Sequence, residues 1–203
     1  MKIICVGLNY PRHADEIGMK PADDPVIFMK PDTALLRDNG PFYVPDWAER
    51  FDFEAELVFR ISRLGRHIEE RFAHRYYDAV GLGVDFTARD TQQKLMAEGH
   101  PWEICKAFDY SAAISKFIPL SELPPVPELR FSLEVNGQKR QEGVAGQMLH
   151  SIDAIIAYAS RFFSLRIGDL IFTGTPAGVG PVREGDRLKG TLEGRAMLDF
   201  LIK

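Results

Sequence analysis

Residues 51–59, Phe-Asp-Phe-Glu-Ala-Glu-Leu-Val-Phe, carry acidic side chains at Asp52, Glu54 and Glu56 between apolar neighbours, the period-two pattern of a β-strand. The three acids then share one face, while Phe53, Ala55, Leu57 and Phe59 line the other. Like charges so placed repel one another, so either water solvates the acidic face or a cation sits among the carboxylates. A second apolar run, residues 79–84, ends on a further acid, Asp85. Residues 2–8 read as a buried first strand. They lead into a segment, residues 9–18, with a capping Asn9, a first-turn Pro11 and a terminating Gly18, which predicts a helix of about two turns.

Further along, Ile68, Phe72, Ala73, Tyr76 and Tyr77 recur with helical spacing and predict an amphipathic helix within residues 68–80. Residues 86–99 predict a short helix closed by Gly99, and residues 102–109 an apolar strand with Lys106 between Ile104 and Phe108. A proline-rich link over residues 121–128 precedes a hairpin signalled by Asn136-Gly137. Ser151 caps a helix whose Ile152, Ile155, Ile156, Ala159, Phe162 and Phe163 are expected to face the core. After a turn at Gly168-Asp169 come a strand, the glycine-rich loop 174–180, and a final strand ending near Leu201. No internal repeat or second domain appears, so residues 1–203 read as a single domain.

Composition narrows the classes. A chain of 203 residues, 45% hydrophobic and 27% charged, is long enough for one substantial core and has no signature of disorder. Its formal net charge of -4 and lack of a Lys/Arg cluster argue against nucleic acid. The apolar start is too short for a signal peptide or a span, which argues against a membrane and for a cytoplasmic protein. Cys5 and Cys105 lack metal spacing and read as buried thiols.

The candidate chemistry lies in a few polar residues. Carboxylates without Cys or His neighbours suit a hard cation such as Mg²⁺ or Mn²⁺ and are poor zinc ligands. His13 and Glu16 lie three apart, on one helix face; they form either a surface pair or a base whose tautomer the carboxylate fixes. Arg89 and Gln92 share a face just beyond Asp85 and are within reach of an ion held there. Lys106 either snorkels to solvent or faces negative charge. Lys30, at a strand end, reads by default as a surface lysine. The loop 174–180 can wrap an anion with backbone amides, but it lacks the lysine of a nucleotide-binding loop.

Taken in order, VGLNYPRHADE, FMKPDTAL, FEAEL, GVDFTARDTQ, PWEICKAFD, VNGQKRQEG and GDLIFTGTPAGVGPV span nearly the whole chain. Their joint occurrence resembles the fumarylacetoacetate hydrolase superfamily, in its small acylpyruvase-like branch. The resemblance implies an α+β, mainly β fold, a mixed β-roll with short peripheral helices, and a homodimer. It also implies Mg²⁺ or Mn²⁺ on Glu54, Glu56 and Asp85, and a lid helix supplying a His13-Glu16 dyad. Lys106 matches the family lysine; Gln92 and Thr175 match substrate-holding positions; Arg89 and Lys30 match basic positions near the pocket. Asp52-Phe53 departs from relatives that often carry histidines there, which bears on the pocket edge. The activity implied is hydrolytic C–C cleavage of acylpyruvates to pyruvate and a carboxylic acid; oxaloacetate decarboxylation or keto-enol tautomerisation is the alternative at the same site. A non-enzymatic metal-binding module leaves the coexistence of His13, Glu16, Lys106 and Thr175 without a reason.

Overall fold

The computed structural model describes residues 1–16, 18–20 and 22–203; Ile17, inside the predicted 9–18 helix, and Pro21 lie outside the described residues. The chain opens with β1 (Ile3–Gly7), α1 (Pro11–Glu16), β2 (Val26–Lys30) and β3 (Leu35–Leu36). Next come β4 (Phe51–Phe53), β5 (Ala55–Ile61), α2 (Glu70–Ala73), β6 (Tyr77–Asp85), β7 (Thr87–Ala88) and α3 (Arg89–Glu98). The middle holds α4 (Glu103–Lys106), β8 (Ala112–Ile114), β9 (Ile118–Pro119), β10 (Arg130–Val135) and β11 (Gln138–Val144). The chain closes with α5 (Ile152–Phe162), β12 (Leu170–Phe172), β13 (Gly180–Pro181), β14 (Arg187–Leu192) and β15 (Arg195–Leu201).

The largest sheet runs β2-β1-β12-β5-β6-β8-β3, with β9 also on β6; β11-β10-β14-β15 and β13-β4-β7 form two smaller sheets. The whole is the expected mixed β-roll, mostly strands with few short helices. At its centre β5 and β6 are antiparallel, with Glu56 opposite Gly83 and Ala55 opposite Val84. Both are buried almost throughout, so their apolar side chains pack on two faces. One cluster joins Leu57, Phe59 and Leu82 to Phe131, Leu188 and Leu198 of the four-stranded sheet and to Ile155 of α5. Behind the sheet Val58 and Phe172 press on β6 so closely that a Cβ at Gly83 would lie 2.6 Å from Phe172 and 2.7 Å from Val58. Only glycine fits there, and its absent side chain lets the strand carrying Asp85 lie flat against the strand carrying the glutamates.

Several expected elements take another form. Residues 51–59 are two strands: β4 pairs β13 and β7, β5 pairs β12 and β6, and the chain changes sheet at Glu54. The helix expected within residues 68–80 is one turn, after which Tyr77 enters β6, because a continuous apolar run buried on both faces satisfies a strand as well as a helix. The strand expected over residues 102–109 is the single turn α4, in which the amides of Cys105 and Lys106 both bond the Trp102 carbonyl. That turn directs Lys106 inward and leaves Ile104 exposed. The hairpin and the Ser151 cap form as expected, Ser151 Oγ accepting from Ala154 N at 3.1 Å, but Phe162 lies in solvent at the end of α5. Among the described residues no helix is long and apolar enough to cross a membrane.

Candidate active site

The turn into β5 and the end of β6 bring three acids together. The amide of Asp85 bonds the carbonyl of Glu54 at 2.8 Å, locking the tip of one strand to the start of the other. As a result Glu54, Glu56 and Asp85 each place a carboxylate oxygen within 4.8 Å of the others, all three buried. The acidic face of residues 51–59 is therefore sealed from bulk water. Asp52 lies 1% exposed on the same cavity wall.

Basic side chains reach into this cluster from three directions. Lys106 donates to Glu54 Oε2 and Asp85 Oδ2, both at 2.8 Å, and to Thr87 Oγ1 at 2.6 Å. Lys30, expected by default at the surface, is buried beneath, its ammonium 2.7 Å from Asp85 Oδ1 and bonded to Ser111 and the Lys106 carbonyl. That Asp85 contact is an ion pair without hydrogen-bond alignment, so Oδ1 accepts no hydrogen bond. Arg89 spends all three nitrogens: Nε on Asp52 at 2.8 Å, Nη2 on Glu54 at 2.5 Å and Nη1 on Gln92 at 2.7 Å.

The charges divide the acids. Burial alone would raise Glu54, but Lys106 and Arg89 outweigh it and hold its carboxyl well below the usual range. Glu56 goes the other way: burial, Asp85 and Glu54 push it well above the ordinary value, and the Gly174 amide, donating at 2.7 Å, opposes them only in part. Burial would lower Lys106, yet Asp85 and Glu54 keep it firmly charged. Among the described residues Glu56 is thus the one acid of the three with no basic side chain bonded to it, its partner being the Gly174 amide.

A divalent cation fits this deficit. Oxygens about 2.1 Å from a common ion in octahedral geometry lie about 3.0 to 4.2 Å apart, inside the observed 4.8 Å limit. The all-oxygen donor set suits a hard ion of the Mg²⁺ or Mn²⁺ kind.

Over the cluster lies a cavity of about 400 Å³ into which α1 directs His13 and Glu16. His13 Nδ1 is 3.3 Å from Glu16 Oε2, and the Glu16 carboxylate also accepts from the Gly178 amide at 3.1 and 3.2 Å. The pair is thus no loose surface contact: Glu16 ties the helix to the glycine-rich loop. That loop does wrap anions, but they are the chain's own Glu16 and Glu56. Asn9, expected as a helix cap, instead clamps three backbone groups, donating to the His150 and Thr173 carbonyls and accepting from His150 N. Thr175 lines the cavity, although its hydroxyl already donates to Ala55 O and accepts from Gln141.

Four further residues belong to this site without having been singled out from sequence. Thr87 bonds Glu54 Oε1 at 3.0 Å, Ser111 holds Lys30, Gln141 braces Ala55 N and Thr175, and Arg50 grips Asp52. Gln141 had a signal, as a polar residue at an inward position of the hairpin; Thr87 and Ser111 had none, because small hydroxyls are common at strand ends.

A β-roll whose central strands present a buried carboxylate triad, with a histidine held over it by a short helix, defines an enzyme class. The chain belongs to the fumarylacetoacetate hydrolase family: the model for the fumarylacetoacetate (FAA) hydrolase C-terminal domain matches residues 2–200. Among its relatives, oxaloacetate tautomerase YcgM of Escherichia coli (strain K12) is 41% identical over 197 residues, covering 97% of this chain and 90% of that protein. Mitochondrial oxaloacetate tautomerase FAHD1 of Homo sapiens is 37% identical over 201 residues, covering 99% and 91%. A crystal structure of fumarylpyruvate hydrolase from Pseudomonas aeruginosa, in complex with Mn²⁺ and pyruvate, superposes with a TM-score of 0.93 at 36% identity, covering 100% of this chain and 90% of that one.

Proposed function

We propose that this chain is a divalent-cation-dependent enzyme that interconverts the keto and enol forms of oxaloacetate. The observation that carries the reading is the buried triad of Glu54, Glu56 and Asp85 facing His13 across one cavity, on a chain 41% identical to a protein named oxaloacetate tautomerase. Glu54, Glu56 and Asp85 would hold Mg²⁺ or Mn²⁺. When bound, such an ion supplies Lewis-acid polarisation of a 2-oxo acid.

The chain's own residues account for the proton. With Nδ1–H directed at Glu16, His13 keeps a lone pair on Nε2, the arrangement of a general base. His13 takes a proton from C3 of the keto form and delivers it to the 2-oxo oxygen to give the enol, and it carries the proton back from that oxygen to C3 in the reverse direction. Lys106, held charged, balances the negative charge that grows on the 2-oxo oxygen, and Gln92, its Oε1 held by Arg89, has its Nε2 amide left for the substrate's first carboxylate. Thr175 and Lys30 act one layer out, Thr175 through Ala55 and Lys30 through Asp85. No water needs to attack.

A second reading, hydrolysis of an acylpyruvate, draws on the same base activating water and on the likeness to fumarylpyruvate hydrolase. The two separate in one assay with Mn²⁺-loaded protein. Tautomerisation predicts loss of the oxaloacetate enol absorbance with no matching pyruvate. Pyruvate released faster from acetylpyruvate or fumarylpyruvate than the enol decays would install the hydrolase instead, and pyruvate with CO₂ from oxaloacetate would make it a decarboxylase.

A further inference from the structure

Arg50 stands on the cavity wall beside the triad, and no step above uses it. Its side chain is half exposed, yet it is held like a buried one: Nε donates to Asp52 Oδ1 at 2.8 Å and Nη2 to Asp52 Oδ2 at 3.1 Å. Its carbonyl accepts from the Arg89 amide at 2.8 Å, which pins the backbone as well. A forked contact to a fully buried carboxylate removes most of the freedom an arginine loses on binding a ligand.

Asp52 serves two guanidinium groups at once, since Arg89 Nε shares its Oδ2 at 2.8 Å. Arg89 divides itself between Asp52 and Glu54, whereas Asp52 is the one carboxylate that Arg50 meets among the described residues. Arg89 has committed every nitrogen, whereas Arg50 Nη1 makes no hydrogen bond among the described residues. Arg50 therefore brings a cation with one uncommitted nitrogen to the cavity wall. Asp52 and Glu54 are two residues apart, roughly 7 Å along an extended chain, so this charge lies beyond the triad and not within it.

We propose that Arg50 reads the distal carboxylate of a four-carbon 2-oxo dicarboxylic acid, so that the site selects dicarboxylic over monocarboxylic 2-oxo acids. The proposal rests on the reading of the cavity as a 2-oxo-acid site. Phe28, Met96 and Trp102 also line the cavity, and none of these three side chains can pair with a second carboxylate.

The test compares two unreactive ligands that differ only at the far end, malate and 2-hydroxybutyrate, titrated calorimetrically into Mn²⁺-loaded protein, with oxalate as a ligand lacking a far end. Wild type should bind malate better than 2-hydroxybutyrate. Arg50→Gln should weaken malate about tenfold or more while sparing 2-hydroxybutyrate, oxalate and Mn²⁺, and should raise KM for oxaloacetate more than it lowers kcat. Arg50→Lys, which keeps the charge but loses the fork, should fall between. Equal losses for all three ligands, or loss of Mn²⁺, would show that Arg50 only supports Asp52 and would overturn the proposal. A wild type that prefers malate in no measure overturns it alone; one that binds neither malate nor oxalate overturns the 2-oxo-acid reading beneath it.

Discussion

Lys106→Met offers the sharpest test of the electrostatics, because it removes one ammonium from between two carboxylates and keeps the unbranched stem, one atom shorter. In the intact chain that ammonium lies 2.8 Å from both Glu54 and Asp85, with its side chain only 4% exposed. Breaking a buried ion pair from one side typically costs about 3–5 kcal/mol, because the remaining charge is stranded. Here the lower end applies, since Arg89 still holds Glu54 and Lys30 still faces Asp85. For a chain of this size, about 3 kcal/mol corresponds to roughly 6–12 °C in Tm. A divalent ion on the triad would supply the missing positive charge, so saturating Mn²⁺ should restore much of the loss. Thermal unfolding of metal-stripped wild type and variant, each with and without Mn²⁺, is the assay. An equal drop in Tm in both conditions, or no drop in the stripped protein, would refute the argument that Lys106 and a bound cation answer the same charge deficit.

Three further outcomes follow from the geometry. His13→Ala should retain Mn²⁺ affinity and lose about 10²-fold or more in enol-keto turnover, measured by enol absorbance; full activity would remove the histidine from the chemistry. Gly178 has φ +101°, and a Cβ there would meet the Arg140 carbonyl at 2.1 Å, so Gly178→Ala should cost on the order of 1–3 kcal/mol and free α1 from Glu16's contact, seen as faster amide exchange in α1 with no change in β10. Glu56 is raised in the folded chain, so above the ordinary glutamate value of about 4.3 the folded state holds a proton that the unfolded state has released. Stability of metal-stripped protein should therefore fall as pH rises through that window, and fall less in Glu56→Gln; parallel profiles would contradict the assignment.

The fold class was legible in the sequence, and so was the set of candidate side chains that meet at one cavity, whereas single elements were less so. Alternation at Asp52, Glu54 and Glu56 placed three acids on one side, and they do face one cavity, although the chain breaks into two strands at Glu54. The spacing of His13 and Glu16 set them side by side, but nothing local showed that Gly178, far along the chain, completes the contact. Lys30 looked like a surface residue because its partners Asp85 and Ser111 come from distant segments. The errors over residues 68–80 and 102–109 share one cause. Apolar spacing over so few residues does not distinguish helix from strand: Tyr77 passes into a strand buried on both faces, whereas α4 turns Ile104 out to solvent.

The central claim is that Glu54, Glu56 and Asp85 hold a divalent cation, and calorimetric titration of Mn²⁺ into metal-stripped protein tests it most directly. The account predicts one ion per chain in wild type and binding lost in Glu56→Gln with the fold intact by circular dichroism. Binding in that variant as tight as in wild type, or none in wild type with oxalate present, would contradict it.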